Sequence, residues 1–153
     1  MTAREQWYGC YDDGWKGLIV DEAFSHPAKA ARGLIYRIVA EGLRRGWWHP
    51  GTLVLDPFGG IGTTGIACSA HRLPSLLVEL EPKFKALAEQ NFALHEKDWL
   101  VTGRPLPRIL QGDSRNLSAL VAEALGGAVT SPPYVSGGHH ADQTGAWNTN
   151  PIM

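Results

Sequence analysis

Cysteine is almost absent from this chain. Cys10 and Cys68 are the only two in 153 residues, far apart and outside any metal-ligand spacing. That count excludes a disulfide scaffold and reads as reduced thiols of a cytoplasmic protein. Long apolar runs are missing too. No stretch approaches the roughly 18–20 residues a membrane helix needs, and no basic start leads into an apolar segment as a secretory signal would. No membrane partner is expected. Charge is scarce, at 19% of residues, and 14 basic against 15 acidic side chains leave a formal net charge of −1. There is therefore no global basic field to hold a polyanion, and the local pairs, Arg44 with Arg45 and Arg104 with Arg108, are sparse. What remains is an ordinary globular balance, 44% hydrophobic, long enough for one domain with a modest core.

Periodicity divides the chain into an irregular arm (1–24), a central domain (25–134) and a tail (135–153). The arm carries Trp7, Tyr8, Tyr11 and Trp15, expected to pack on the domain. Ser25-His26-Pro27 resembles a helix entrance, with Ser25 as cap and Pro27 in the first turn. Ala31, Leu34, Ile35, Ile38 and Val39 continue at helical spacing toward Leu43. Four short apolar runs are expected strands: 52–55, 75–80, 108–112 and 128–130. Helices are expected from Thr63 or Thr64, from Pro82, and over 114–125. Alternation of this kind predicts an α/β fold, a parallel sheet with helices on both faces and about four strands. Right-handed crossovers put all strand carboxyl ends on one side, where such sheets bind ligands.

Two strings fall at those ends. The first runs Asp56-Pro57-Phe58-Gly59-Gly60-Ile61-Gly62-Thr63-Thr64-Gly65. Its Gly60-x-Gly62-x-x-Gly65 portion matches a dinucleotide fingerprint, with an acid, Glu79, about 20 residues on. Against that reading, Asp56-Pro57-Phe58 separates the strand from the glycines, and a strand-tip carboxylate would repel pyrophosphate. It suits a ligand with a positive end, such as the ammonium and sulfonium of S-adenosylmethionine. On that account Asp56 pairs with the ammonium, and Gly59, Gly60 and Gly62 admit close backbone approach. Glu79 accepts from ribose hydroxyls, and Asp113, after the third strand, accepts from the adenine amino group. The plainer alternatives are a surface loop for Glu79 and a helix cap for Asp113.

The second string is Ser131-Pro132-Pro133-Tyr134. Two prolines fix φ and withhold their N–H groups, leaving the Pro132 carbonyl a stiff acceptor. Ser131 adds a second acceptor, and Tyr134 a face for a planar base. Such a set can grip an exocyclic amino group, whose delocalised lone pair makes it a poor nucleophile. Reaching it from duplex DNA would require flipping the base out. Alone, the tetrapeptide is a proline turn.

Together and in this order, the two strings resemble the amino-group DNA methyltransferases that use S-adenosylmethionine. Asp56 to Gly65, with Thr63 and Thr64, looks like the family's first cofactor motif. His26-Pro27-Ala28-Lys29 looks like its upstream motif, contacting the methionine end of the cofactor; the alternative for His26 and Lys29 is a capped surface helix. The resemblance implies a Rossmann-like class I fold and direct methylation of a flipped base in double-stranded DNA. Serine in the catalytic motif points to N4 of cytosine before N6 of adenine. Only 19 residues follow Tyr134, too few for the further strands and recognition region of that family. The expectation is then a second chain supplying them, with a non-catalytic cofactor-binding subunit or fragment of a split enzyme as the alternative. His139, His140 and Asp142 in the tail are read as solvated, not as a metal site.

Overall fold

The computed structural model describes residues 6–11, 14–26 and 29–131. The expectations placed on Pro27, Ala28, Pro132, Pro133, Tyr134, the tail and its His139, His140 and Asp142 lie outside them.

Four parallel strands form one sheet in the order β3-β2-β1-β4: β1 (Val54–Asp56), β2 (Ser75–Glu79), β3 (Arg108–Gln111) and β4 (Gly127–Ala128). Register pairs Asp56 with Leu77 and Glu79 with Gln111, which aligns the carboxyl ends. Helix α1 (Arg32–Arg44) precedes β1, and α2 (Thr63–Ala70), α3 (Pro82–Thr102) and α4 (Leu117–Leu120) connect the strands. The fold is a Rossmann-like α/β sheet. The chain winds outward from β1 to β3, then returns to the other side of β1 with β4. That reversal opens a crevice beyond the β1 and β4 ends, where such folds take ligands.

Alternation along the strands feeds two cores of unequal size. Val54, Leu77 and Ile109 join residues of α1, α2 and α3, while Leu55, Leu76, Val78 and Leu110 meet Leu117, Leu120 and Val121. Among the described residues, α1, α2 and α3 thus share one face of the sheet and the short α4 covers the other. Helix α3 starts with proline in its first turn, where no N–H is missed, and ends at Gly103, left-handed at φ 65°. Its buried face is Leu87, Ala88, Asn91, Phe92 and Trp99. No helix among the described residues is long and apolar enough to cross a membrane.

Three sequence expectations fail locally. Helix α1 begins at Arg32 with no side-chain cap, not at Ser25. Residues Asp21–Ser25 form a 3-10 turn, and Ser25 Oγ donates back to Glu22 O at 2.7 Å. Its hydroxyl is therefore spent on closing that turn rather than on starting a helix. The stretch from Ser114 is also not one helix. It makes a 3-10 turn (Ser114–Asn116), the four residues of α4, and then extended backbone at Val121. The arm buries Trp15, at 1% exposure, but leaves Tyr8 and Tyr11 at 82% and 96%. Trp15 finds an apolar seat together with an acceptor, Ala30 O at 3.0 Å, and Trp7 is partly buried with the Arg37 guanidinium over its ring.

Helix α1 also buries a charge. Glu41 is 2% exposed and pairs with Arg44 and Arg45. Hydrogen bonding from Arg44, then from Arg45, outweighs burial and holds its carboxyl down to about 2, from 4.5. A depressed acid contributes stability that is present above its unfolded value and lost as pH falls through the folded one. The wild type should therefore lose thermal stability between about pH 4.5 and 2 more steeply than Glu41→Gln. Parallel melting curves across that window would contradict the role given to the pair.

Candidate functional site

A cavity of about 370 Å³ opens at the carboxyl rim, within the range that holds small ligands, roughly 300–1,000 Å³. Asp56, Pro57, Phe58, Gly59 and Gly60 from the turn after β1 line it, with Thr63 and Thr64 from the start of α2. Glu79 comes from the end of β2, Asp113 from beyond β3, Ser131 from beyond β4, and His26 and Lys29 from the segment before α1. These residues meet because the strands are parallel and the register is level. Elements separated by more than 100 positions converge where the sheet order reverses.

Asp56 is the most buried of the charged residues on the lining, at 3% exposure. Its carboxylate accepts from Phe58 N–H at 3.0 Å and from the Thr64 hydroxyl at 2.5 Å. Burial nonetheless raises its pKa above 3.8; hydrogen bonds from Thr64, Phe58 and Thr130 oppose that rise, and the charge of Glu79 adds to it. A buried carboxylate in this state is stabilised by any cation that reaches it.

Glu79 is tied into the turn. Its Oε2 accepts from Gly60 N–H at 2.7 Å and its Oε1 from Glu81 N–H at 2.8 Å. Each oxygen keeps a lone pair beyond those bonds, so the side chain shapes the loop while retaining acceptors for a ligand. Asp113 caps the turn that follows it, accepting from Arg115 N–H at 2.9 Å, and it pairs with the Arg115 guanidinium. The Arg115 side-chain bonds, with that backbone bond behind them, hold its carboxyl at about 2, so it is an anion at any working pH. Of the plainer alternatives from the sequence, the cap is met by Asp113, while Glu79 is the buried last residue of β2 and not a surface loop; both line the cavity.

The remaining candidates divide. Gly60, at φ 52°, faces the cavity with the His26 ring as its nearest neighbour, 3.5 Å from where a Cβ would stand. Gly59 backs onto Leu77, and Gly62 is turned away, packed against Phe92 and Ala88 of α3. Gly62 is not part of the lining; it is what lets α2 approach α3. His26 stands edge-on to Phe84 at 4.3 Å between ring centroids. Burial lowers its pKa; the nearby Glu79 charge opposes that, and Lys29 reinforces it. Lys29 directs its ammonium to Phe24 O at 2.8 Å and His26 O at 2.7 Å, fastening the segment that presents His26. Cys68, fully buried and pushed up to about 12 by burial, then by Asp56, takes no part.

Two features escaped the sequence reading. Phe84, in the first turn of α3, supplies an apolar wall of the cavity beside His26. Asn91, wholly buried, bonds the glycine loop on one side and the N-terminal segment on the other. Its only trace in the sequence is an amide between Leu87–Ala88 and Phe92, on a helix face that otherwise reads as apolar.

The site has four carboxylates on its lining, Asp56, Glu79, Glu81 and Asp113, against His26 and Lys29. This charge balance suits a ligand with a cationic end and acceptor-seeking hydroxyl or amino groups.

Among solved structures, the chain is similar to TrmN from Thermus thermophilus, at 23% identity and a TM-score of 0.49 over 73% of this chain and 31% of that one. It is also similar to the YcgJ protein from Bacillus subtilis, at 18% identity and a TM-score of 0.35 over 51% and 30%. A protein-L-isoaspartate O-methyltransferase matches at 18% identity and a TM-score of 0.39, over 56% and 25%. The chain thus aligns with about a third or less of the length of each. The architecture rests on the chain's own strand order, not on these likenesses. No curated protein matches the chain. The N6/N4 methyltransferase family model, described as DNA methylase, matches residues 5–90. That span covers more than half of the chain, from the arm through β1, the glycine loop, β2 and into α3, and the protein belongs to the DNA methylase family.

Proposed function

We propose that the rim cavity binds S-adenosylmethionine and that the chain methylates an exocyclic amino group of a DNA base, N4 of cytosine before N6 of adenine. The observation that carries this reading is the convergence of acids from three successive strand ends with Ser131 on one cavity at the sheet's reversal point. The residues present fit the cofactor. Asp56 offers a buried carboxylate to an ammonium, Glu79 free lone pairs to ribose hydroxyls, and Asp113 a permanent anion to the adenine amino group. Pro57, Phe58, Gly59, Gly60, Thr63 and Thr64 complete that wall, and His26 with Phe84 closes the side. When bound, S-adenosylmethionine supplies an electrophilic methyl group.

Ser131 lies on the lining and is exposed to the cavity mouth. In this reading it accepts a hydrogen bond from the target amino group; the Pro132 carbonyl, stiffened by the Pro132-Pro133 sequence, is the second acceptor, and Tyr134 the stacking face for a flipped base. The division of labour gives a test. Ser131→Ala should leave S-adenosylmethionine affinity within about threefold and cut methyl transfer by about ten- to a hundredfold, the loss of one charge-developing contact. Calorimetry reads the first quantity, and labelled-methyl transfer to mixed-sequence DNA with nucleoside analysis reads the second. Binding of NAD in place of S-adenosylmethionine would overturn the cofactor assignment. Methylcytosine or methyladenine in the product decides the base.

A net charge of −1 favours a second component of the reading. The chain contributes the cofactor site, and a partner chain supplies basic surface for the duplex and for target recognition. Adding a basic partner subunit should then raise transfer without changing cofactor affinity.

A further inference from the structure

We propose that Asn91 is a positioning residue, the one side chain among the described residues that fastens both the glycine loop and the His26-bearing segment to helix α3. Its Nδ2 donates to Ile61 O at 2.8 Å, and its Oδ1 accepts from Val20 N–H at 2.7 Å. Asn91 has no exposed surface, and Ile61 is 2% exposed. Burying an amide is unfavourable unless its polar atoms are paired. An apolar residue between Leu87–Ala88 and Phe92 would serve packing alone. The amide is there because two backbone groups need it, one on each side.

The two attachments reach different walls of the cavity. Ile61 lies between Gly60 and Gly62 and is itself part of the lining. Val20 precedes the 3-10 turn that leads to His26, where Ala23 N–H donates to Val20 O and His26 N–H to Ala23 O. One turn further along α3, His95 Nε2 lies 2.8 Å from Leu18 O. A carbonyl only accepts, so this ring nitrogen donates. Leu18 and Val20 are thus both held by side chains four positions apart on one face of α3. Of the two walls, His95 bonds to the segment, and Asn91 bonds to the segment and to the loop.

The asymmetry of the amide separates the two functions. Asn91→Asp keeps an acceptor for Val20 N–H but turns an oxygen toward Ile61 O, so it loosens the glycine loop. His95→Phe keeps the stack on Trp99 and removes the other tie, so it loosens the segment. Asn91→Leu removes both. The expected result, by amide hydrogen exchange on the full chain without ligand, is roughly tenfold faster exchange confined to Gly59–Gly62 in the first variant. The same change should be confined to Val20–His26 in the second, and appear in both regions in the third. Loosening of the loop by His95→Phe, or no loosening by Asn91→Asp, would overturn the proposal. If Asn91→Leu fails to fold, the two single-sided variants decide it.

The link to binding rests on the proposed cofactor site. S-adenosylmethionine affinity should fall in all three variants, most in Asn91→Leu, while Tm changes do not follow that order. Wild-type protein that binds no S-adenosylmethionine would sink the cofactor reading and leave the exchange pattern to judge Asn91.

Discussion

Gly62→Ala is expected to lower Tm by about 10 °C, from a destabilisation of about 2–5 kcal/mol in a domain of this size. Two costs combine. The residue sits at φ 86°, where a Cβ costs about 1–2 kcal/mol. The same Cβ would stand 2.6 and 2.7 Å from two ring atoms of Phe92 and 3.1 Å from the Ala88 methyl. Forcing α2 and α3 apart adds about 1–3 kcal/mol, and Phe92 cannot swing away, because it is 9% exposed and stacked at a tilt on Trp99. Gly60→Ala is the control. It carries a left-handed φ of 52°, but its nearest neighbour is the His26 ring at 3.5 Å, ordinary contact. It should cost only the backbone penalty, about 1 kcal/mol, and weaken ligand binding instead. Equal melting losses in the two variants would contradict the placement of one glycine at the helix contact and the other at the cavity.

That contrast marks where sequence reasoning stopped. A glycine in a loop declares freedom of backbone, not the direction in which the missing Cβ would point. Gly60 and Gly62 were therefore equivalent on paper and are opposite in space. Elements with strong local punctuation were legible: Pro82 opens α3, Thr63 opens α2, and β2 (Ser75–Glu79) falls within the expected 75–80. The strand order was not, because parallel pairing leaves open which strand lies beside which. The start of α1 was not, because a serine before His-Pro reads as a cap while its hydroxyl closes the turn behind it. The segment after Asp113 was misjudged for a related reason. The aspartate caps a tight turn at Arg115, and Leu117, Leu120 and Val121 then drop onto Leu55, Leu76 and Val78 instead of extending a helix.

The lining of the cavity was legible in part, with Gly62 outside it and Phe84 unexpected on it. Acids at successive strand ends must converge if the sheet is parallel, and Asp56, Glu79 and Asp113 do line one cavity. Spacing could not reveal that Glu79 also braces Gly60 and Glu81, or that Lys29 spends its ammonium on two carbonyls of its own segment. Asn91 was invisible because its partners are backbone groups 71 and 30 positions away. No local pattern encodes such bonds.

Asp56→Asn should produce effects of opposite sign on stability and on binding. The carboxylate is buried at 3% exposure, and its folded pKa is raised by that burial despite the bonds from Thr64, Phe58 and Thr130. An acid raised on folding favours the native state fully only below its unfolded value, near 3.8, and that contribution is lost as pH climbs through the raised folded value. At neutral pH the charge is therefore a standing penalty on the unliganded protein. Asparagine keeps an acceptor for Phe58 N–H and a polar partner for the Thr64 hydroxyl while removing the charge, so Tm at neutral pH should hold or rise. Its pH dependence just above 3.8 should flatten. Affinity should move the other way. If the ammonium of S-adenosylmethionine pairs with this carboxylate away from water, removing the charge costs about 2–5 kcal/mol, a loss of roughly 30- to several-thousand-fold in Kd. A functional carboxylate retained at the expense of native stability is the pattern expected of a binding group and not of a structural one. Calorimetry and thermal melts on the same preparation separate the two. Lower Tm with unchanged S-adenosylmethionine affinity would make Asp56 a loop brace for Phe58 and Thr64 and remove the charge argument for the methyl donor.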